Sequence, residues 1–136
     1  MHHRLKPNVL IIDDDPVYRF AAVRTIAATG LSGNITECND GQEALDYLTN
    51  NSSNPATLPD IIFLDLNMPV MNGWDFLYAF NIFLHNVTKS IYIYIVTSSI
   101  DKTDMERSKE FGHVTDFLVK PVFKETFAQI LSAVPV

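Results

Sequence analysis

The sequence predicts a single α/β domain built on a five-stranded parallel sheet. Three observations predict it. Short apolar runs alternate five times with longer helical patterns, as in a chain of strand–helix units. The central runs are continuously apolar, which suits strands covered by helices on both faces. Four of the five runs end in polar or charged residues, so chemistry gathers at one end of the sheet. The 136 residues are about one domain's worth, and 47% of them are hydrophobic, enough for a real core.

The first strand is Val9-Leu10-Ile11-Ile12, ending in Asp13-Asp14-Asp15. Asp15 caps the next helix and Pro16 suits its first position. Val17, Phe20, Val23 and Ala27 give that helix an apolar stripe, and Gly30 ends it. A weaker strand over 34–38 is the natural edge. Asp40 and Glu43 form a capping-box pattern for a helix carrying Ala44, Leu45 and Leu48 on one side. The polar run Asn50 to Pro55 breaks helices and reads as the one extended, candidate mobile loop. Ile61-Ile62-Phe63-Leu64 is the third strand, ending at Asp65. A loop through Pro69 leads to Gly73-Trp74 and a helix to about Leu84. Ile91 to Val96 is the fourth strand, ending at Thr97-Ser98-Ser99. A polar helix runs from about Asp101 to Phe111 and stops at Gly112. Phe117-Leu118-Val119 is a short fifth strand, followed by Lys120-Pro121 and a last helix over 124–133.

Composition narrows the function classes. Ten basic against sixteen acidic residues give a net charge of −6, a poor basis for binding nucleic acid. Cys38 is the single cysteine, so neither an intramolecular disulfide nor a cysteine-based zinc site is open to the chain, and it reads as structural. No apolar run approaches the ~20 residues of a membrane helix, and the start lacks a signal peptide's apolar stretch. His2 and His3 read as a native start or a tag remnant rather than a metal site. The expectation is a soluble, cytoplasmic protein.

In open α/β sheets, sites form beyond the carboxyl ends of the strands. Here those ends supply Asp13, Asp14, Asp65, Thr97 and Lys120. Two like charges ~4 Å apart cost roughly 4 kcal/mol at an effective dielectric of 20, so three gathered carboxylates call for a cation. Oxygen donors and water suit Mg²⁺, and Lys120 adds one positive charge. A carboxylate beside Mg²⁺, a hydroxyl and an ammonium is suited to accept a phosphoryl group. Read singly, several of these residues have plainer roles: Asp15 as a cap, Thr97 as a helix cap, Phe117 as core, Pro121 as a strand end. Asp40 reads as a cap, and Asp60, Asp101, Asp104 and Asp116 as surface or capping residues. Trp74 reads as a partly buried residue at a helix start.

Four pieces together carry a family resemblance: Val9 to Asp15, Asp65-Leu66-Asn67-Met68-Pro69 with Gly73, Thr97-Ser98-Ser99, and Phe117-Leu118-Val119-Lys120-Pro121. Over residues 7–134 the chain resembles the receiver domain of two-component response regulators, of the single-domain chemotaxis-regulator kind. The resemblance implies a flavodoxin-like (βα)5 three-layer sandwich with strand order 2-1-3-4-5. It implies that Asp65 is the phosphoacceptor, and that Asp13, Asp14, Asp65 and the backbone carbonyl of Asn67 hold Mg²⁺. Thr97 and Lys120 would contact the phosphoryl group, Thr97 and Phe117 would switch, and the Lys120-Pro121 bond would be cis. The implied donor is a histidine kinase or histidine phosphotransfer protein, the implied target an unnamed protein, and the implied role a signalling switch rather than an enzyme. Ser98, Ser99 and Asn67 depart from common receiver choices, and the last two sit where the family tunes dephosphorylation. Phe117 lacks the hydroxyl of a tyrosine.

Three rival readings remain. In a haloacid-dehalogenase-like phosphohydrolase, Asp13-Asp14-Asp15-Pro16-Val17 would be the nucleophile motif, but after Lys120 only Glu125 is acidic, so the final acidic pair is missing. A flavodoxin would need a phosphate cradle where this chain has three aspartates. A pseudo-receiver would bind partners without phosphorylation, although the full set of five residues is present.

Overall fold

The computed structural model describes residues 5–68 and 70–136. Pro69, His2 and His3 lie outside the described residues. The elements alternate strictly: β1 (Val9–Ile12), α1 (Pro16–Ala28), β2 (Ile35–Cys38), α2 (Gly41–Asn50), β3 (Ile61–Asp65), α3 (Gly73–Phe83), β4 (Tyr92–Thr97), α4 (Lys102–Ser108), β5 (Val114–Val119) and α5 (Lys124–Ala133). A short 3-10 turn over Leu84–Asn86 extends α3. All strand pairs are parallel, in the order β2-β1-β3-β4-β5. This is the parallel α/β sheet that the strand–helix alternation predicts, in the flavodoxin-like three-layer order that the resemblance implies.

Alternation along each strand builds the two outer layers. Val9, Ile11, Ile61, Phe63 and Val96 face α1 and α5, where they pack on Ala22, Ile26, Phe127 and Leu131. Leu10, Ile12, Ile62, Leu64 and Ile95 face the other way, onto Ala44, Leu48, Phe76 and Phe80 of α2 and α3. Both faces are covered, which is why the central strands carry no polar residue until their ends.

Four local expectations change. The α1 stripe is misplaced: Val17 and Phe20 are 76% and 64% exposed, and Ala27 is exposed too. The buried line is Ala22 and Ile26, with Tyr18 and Val23 beside it. Spacings of 18, 22 and 26 fit a helix as well as 17, 20, 23 and 27 do; only the sheet selects between them. Asp40 caps α2 at Glu43 N–H, but Glu43 reaches back to Asn39 N–H rather than to that of Asp40. α4 ends at Ser108, short of Phe111. β5 begins at Val114, three residues before the apolar run. There, Val114 pairs with Ile93 and Asp116 with Tyr94, so Thr115 is an extra residue that bulges the edge. An edge strand tolerates this polar start because one flank meets no neighbour.

The 50–59 segment is held at several points. Thr57 Oγ1 donates to Asn51 Oδ1 at 2.7 Å, Asn8 Nδ2 to Ala56 O at 2.9 Å, and Lys89 Nζ to both Pro55 O and Leu58 O at 2.6 Å. Asp60, expected at the surface or in a cap, is instead buried at the start of β3. It pairs with Lys89 at 3.2 Å and accepts from Asn8 N–H at 2.8 Å.

Candidate functional site

The strand order reverses between β1 and β3, and this switch point brings their carboxyl ends side by side. Ile12 pairs with Leu64, so Asp13, the residue after β1, and Asp65, the last residue of β3, come side by side. Asp13 is 2% exposed and Asp65 7%. Asp14 is exposed at the rim. One carboxylate oxygen from each of Asp13, Asp14 and Asp65 falls within 4.8 Å of the others. Asp15 plays no part in this cluster; it caps α1 by accepting from Val17 and Tyr18 N–H.

β5 delivers the countercharge. Lys120 N–H donates to Thr97 O at 2.8 Å, which extends the β4–β5 pairing past Val119. From there Lys120 Nζ reaches Asp13 Oδ2 at 2.8 Å. The Lys120–Pro121 bond is cis, as expected. Gly73 serves the site from behind: a Cβ there would meet Asp65 O and Leu66 Cα at 2.8 Å, so only glycine lets α3 start this close to the end of β3.

The two buried carboxylates differ in what they are doing. Asp13 has both oxygens engaged, since Oδ1 accepts from Asp15 N–H at 2.9 Å and Oδ2 from Lys120. Among the described residues, Asp65 receives only a long bond from Asn67 N–H to Oδ1, at 3.3 Å. Burial, and then the charge of Asp13, push the Asp65 carboxyl up to about 6; Lys120 and the Asn67 N–H pull it back only in part. One ammonium does not balance three carboxylates, and the donor set is all oxygen. These residues therefore fit a hard divalent cation.

Thr97 is buried at the end of β4 and does not cap α4, a role taken by Asp101. Its hydroxyl donates to Ser99 O at 3.0 Å. Phe117 is half-buried on β5, paired with Ile95 and packed against the α2–α3 side of the core, outside the carboxylate cluster. Asn67 is exposed beside Asp14 in a cleft of about 440 Å³ whose walls include Trp74 and Asp104. Trp74 itself is buried, with the Arg107 guanidinium 4.6 Å from its ring. Two residues at the site carry no sequence motif. Arg19 bonds Asp13 O and Asn39 Oδ1, tying the end of β1 to the end of β2. Tyr18 sets its ring 4.2 Å from Lys120 Nζ. Their only signal in the sequence is a place in the first turn of α1, directly after the aspartates.

A trio of carboxylates, two buried and one at the rim, with one lysine, at the switch point of a five-stranded flavodoxin-like sheet, defines a receiver-type domain. Comparison with known proteins agrees. The chain belongs to the response regulator receiver domain family, whose family model matches residues 9–132. It is 31% identical over 90% of its length to the sensor histidine kinase CheAY of Helicobacter pylori, covering 14% of that protein. It is 32% identical over 92% of its length to the transcriptional regulatory protein CitT of Halalkalibacterium halodurans, covering 50% of it. The chain thus spans half or less of these two curated relatives. Among solved structures, the chemotaxis protein CheY4 of Vibrio cholerae matches with a TM-score of 0.78 at 28% identity, over 96% of this chain and 99% of that one. The family is one of signalling domains. Among the described residues, no helix is long and apolar enough to cross a membrane.

Proposed function

We propose that residues 7–134 act as a phosphorylation-driven switch in which Asp65 takes a phosphoryl group from a histidine kinase or histidine phosphotransfer protein. The observation that carries this is the inequality of the two buried aspartates. Asp13 has both oxygens bonded, whereas Asp65 keeps an oxygen without a bond from the described residues. The nucleophile is therefore Asp65, and the same contrast disfavours a phosphohydrolase that would attack through Asp13.

In the step proposed, an Asp65 oxygen attacks phosphorus in line and a P–O bond forms. The P–N bond of a phosphohistidine, or the P–O bond of acetyl phosphate, breaks on the far side, and the electron pair leaves with the donor. Mg²⁺, held by Asp13, Asp14, Asp65 and the Asn67 backbone carbonyl, would neutralise charge on the phosphoryl oxygens. Lys120 donates to one of those oxygens and Thr97 to another. For Thr97 this means giving up its bond to Ser99 O, so phosphorylation pulls on the β4–α4 loop. Phe117 then turns into the space released and alters the face of α4, β5 and α5. Hydrolysis by water at phosphorus returns the Asp65 carboxylate and inorganic phosphate.

Relatives named as histidine kinases and as transcriptional regulatory proteins, the two ends of such a relay, support this assignment of partners. The target is a protein, and the site of action is the cytoplasm. The test is incubation with Mg²⁺ and acetyl phosphate, followed by intact and peptide mass. One labile, Mg²⁺-dependent phosphoryl group on Asp65, absent in Asp65→Asn, is expected. Label on Asp13 would move the assignment to the phosphohydrolase reading, and absence of label with any donor or kinase to the pseudo-receiver.

A further inference from the structure

Lys120 has two described partners, and only one of them is a carboxylate. Its Nζ donates to Asp13 Oδ2 at 2.8 Å and lies 4.2 Å from the centroid of the Tyr18 ring. Tyr18 sits in the first turn of α1, half-buried, close enough to the cluster that its hydroxyl responds to Asp13 and Asp65. A tyrosine hydroxyl is neutral at working pH, and the ring presents a π face to the ammonium.

The geometry poses a problem that a hydrogen bond alone does not solve. Before phosphorylation the ammonium is committed to Asp13; afterwards the phosphoryl oxygens require it. A carboxylate bond is directional and resists that transfer. Attraction to a ring face is broad and follows the charge as it moves. We propose that Tyr18 is a positioning residue for phosphoryl binding, its ring face retaining the Lys120 ammonium over the carboxylate cluster while its hydrogen bonds pass from Asp13 to the phosphoryl group. This rests on Asp65 being the phosphoacceptor. A leucine or methionine fills similar space but gives a cation no electrostatic partner. Phenylalanine keeps the face and removes the hydroxyl, so it separates the two parts of the tyrosine.

The test measures binding rather than turnover. Mg²⁺ with beryllium fluoride, which adds to a carboxylate as a phosphoryl mimic, is titrated against the full chain. The fluorescence of Trp74, the single tryptophan and a wall of the cleft beside Asp14, is the reporter. Tyr18→Leu is expected to weaken the apparent affinity by about 5-fold, in the range of a partly buried cation–π contact. Tyr18→Phe is expected to restore wild-type affinity. In a Lys120→Gln background, Tyr18→Leu is expected to add no further loss, because its partner is gone. Urea midpoints monitor folding, and Tyr18→Met replaces Tyr18→Leu if the leucine variant does not fold. Wild-type affinity in the leucine and methionine variants overturns the proposal. So does a phenylalanine variant as weak as the leucine one, which would assign the effect to the hydroxyl, and so does an undiminished loss in the Lys120→Gln background. A wild-type chain that neither binds the mimic nor labels Asp65 overturns the phosphoacceptor reading as well; a responsive wild type with a silent Tyr18 overturns this proposal alone.

Discussion

Two aspartates bracket β3. Asp60 stands just before Ile61 and Asp65 closes the strand, and they are almost equally buried, at 8% and 7% exposed. Asp60 at the amino end has an ammonium at 3.2 Å and a backbone donor at 2.8 Å. Asp65 at the carboxyl end has one long backbone bond and two carboxylate neighbours. Burial alone therefore says little about role. A compensated buried charge is part of the scaffold, whereas an uncompensated one is a site waiting for positive charge. Lys89, which balances Asp60, also bonds the carbonyls of Pro55 and Leu58, so this pair ties a polar loop to the bottom of the sheet.

Breaking each end separately gives the largest effects. Asp65→Asn is expected to abolish phosphorylation outright while leaving the fold intact, as mass and circular dichroism would report. Asp60→Ala leaves Lys89 without its partner carboxylate. It is expected to cost about 2–3 kcal/mol in urea unfolding, reduced from the fully buried case because the pair is partly solvated. Phosphorylation by acetyl phosphate should stay within about twofold of wild type, since the change in stability is folding energy rather than site chemistry. An Asp60 variant that is stable but fails to be phosphorylated would dissolve the division between the two ends.

Mg²⁺ sharpens the contrast. By linkage, a cation that binds the folded cluster and not the unfolded chain raises the melting temperature, by about 2.7 kcal/mol of stability at a hundredfold excess over its dissociation constant. Asp14→Ala is expected to reduce that response and Asp60→Ala to leave it unchanged. A melting temperature indifferent to Mg²⁺ in the wild type would count against the metal site.

The smallest effect is a pH trend in EDTA. The folded Asp65 carboxyl sits near 6, above its ordinary 3.8. Between these values the folded state holds the proton more tightly than the unfolded state. Asp65 therefore destabilises the fold above about pH 6, and that penalty lifts as pH falls toward 4. Asp65→Asn should accordingly be more stable than wild type at pH 7, and the gap should narrow by pH 5. A gap that widens on acidification would contradict the electrostatic account of this site.

Much of this was legible in one dimension. The strands and their order of polar endings follow from composition, because parallel strands covered on both faces must be apolar until they emerge. Asp13, Asp14, Asp65, Thr97 and Lys120 stand out as strand-end residues in the sequence alone. What was not visible is which neighbour each one meets. The α1 stripe failed because two helical registers were equally apolar, and contact with β1, β3 and α5 selected the one through Ala22 and Ile26. Asp60 failed because a lone aspartate before a strand looks like a cap until Lys89, 29 residues later, arrives beside it. Tyr18 carries no motif, because nothing in a first-turn aromatic signals that Lys120, 102 residues later, lies over its ring.

The sequence by itself determined the alternation, the fold class and the chemical inventory at the sheet's carboxyl end, since these depend on periodicity and residue type, which are local. Only the tertiary structure decided how charge is balanced. Asp13 meets Lys120 across 107 positions of sequence, and Asp65 is left short of a partner beside it. Electrostatic energy depends on distance in space, and no local pattern in the chain encodes that.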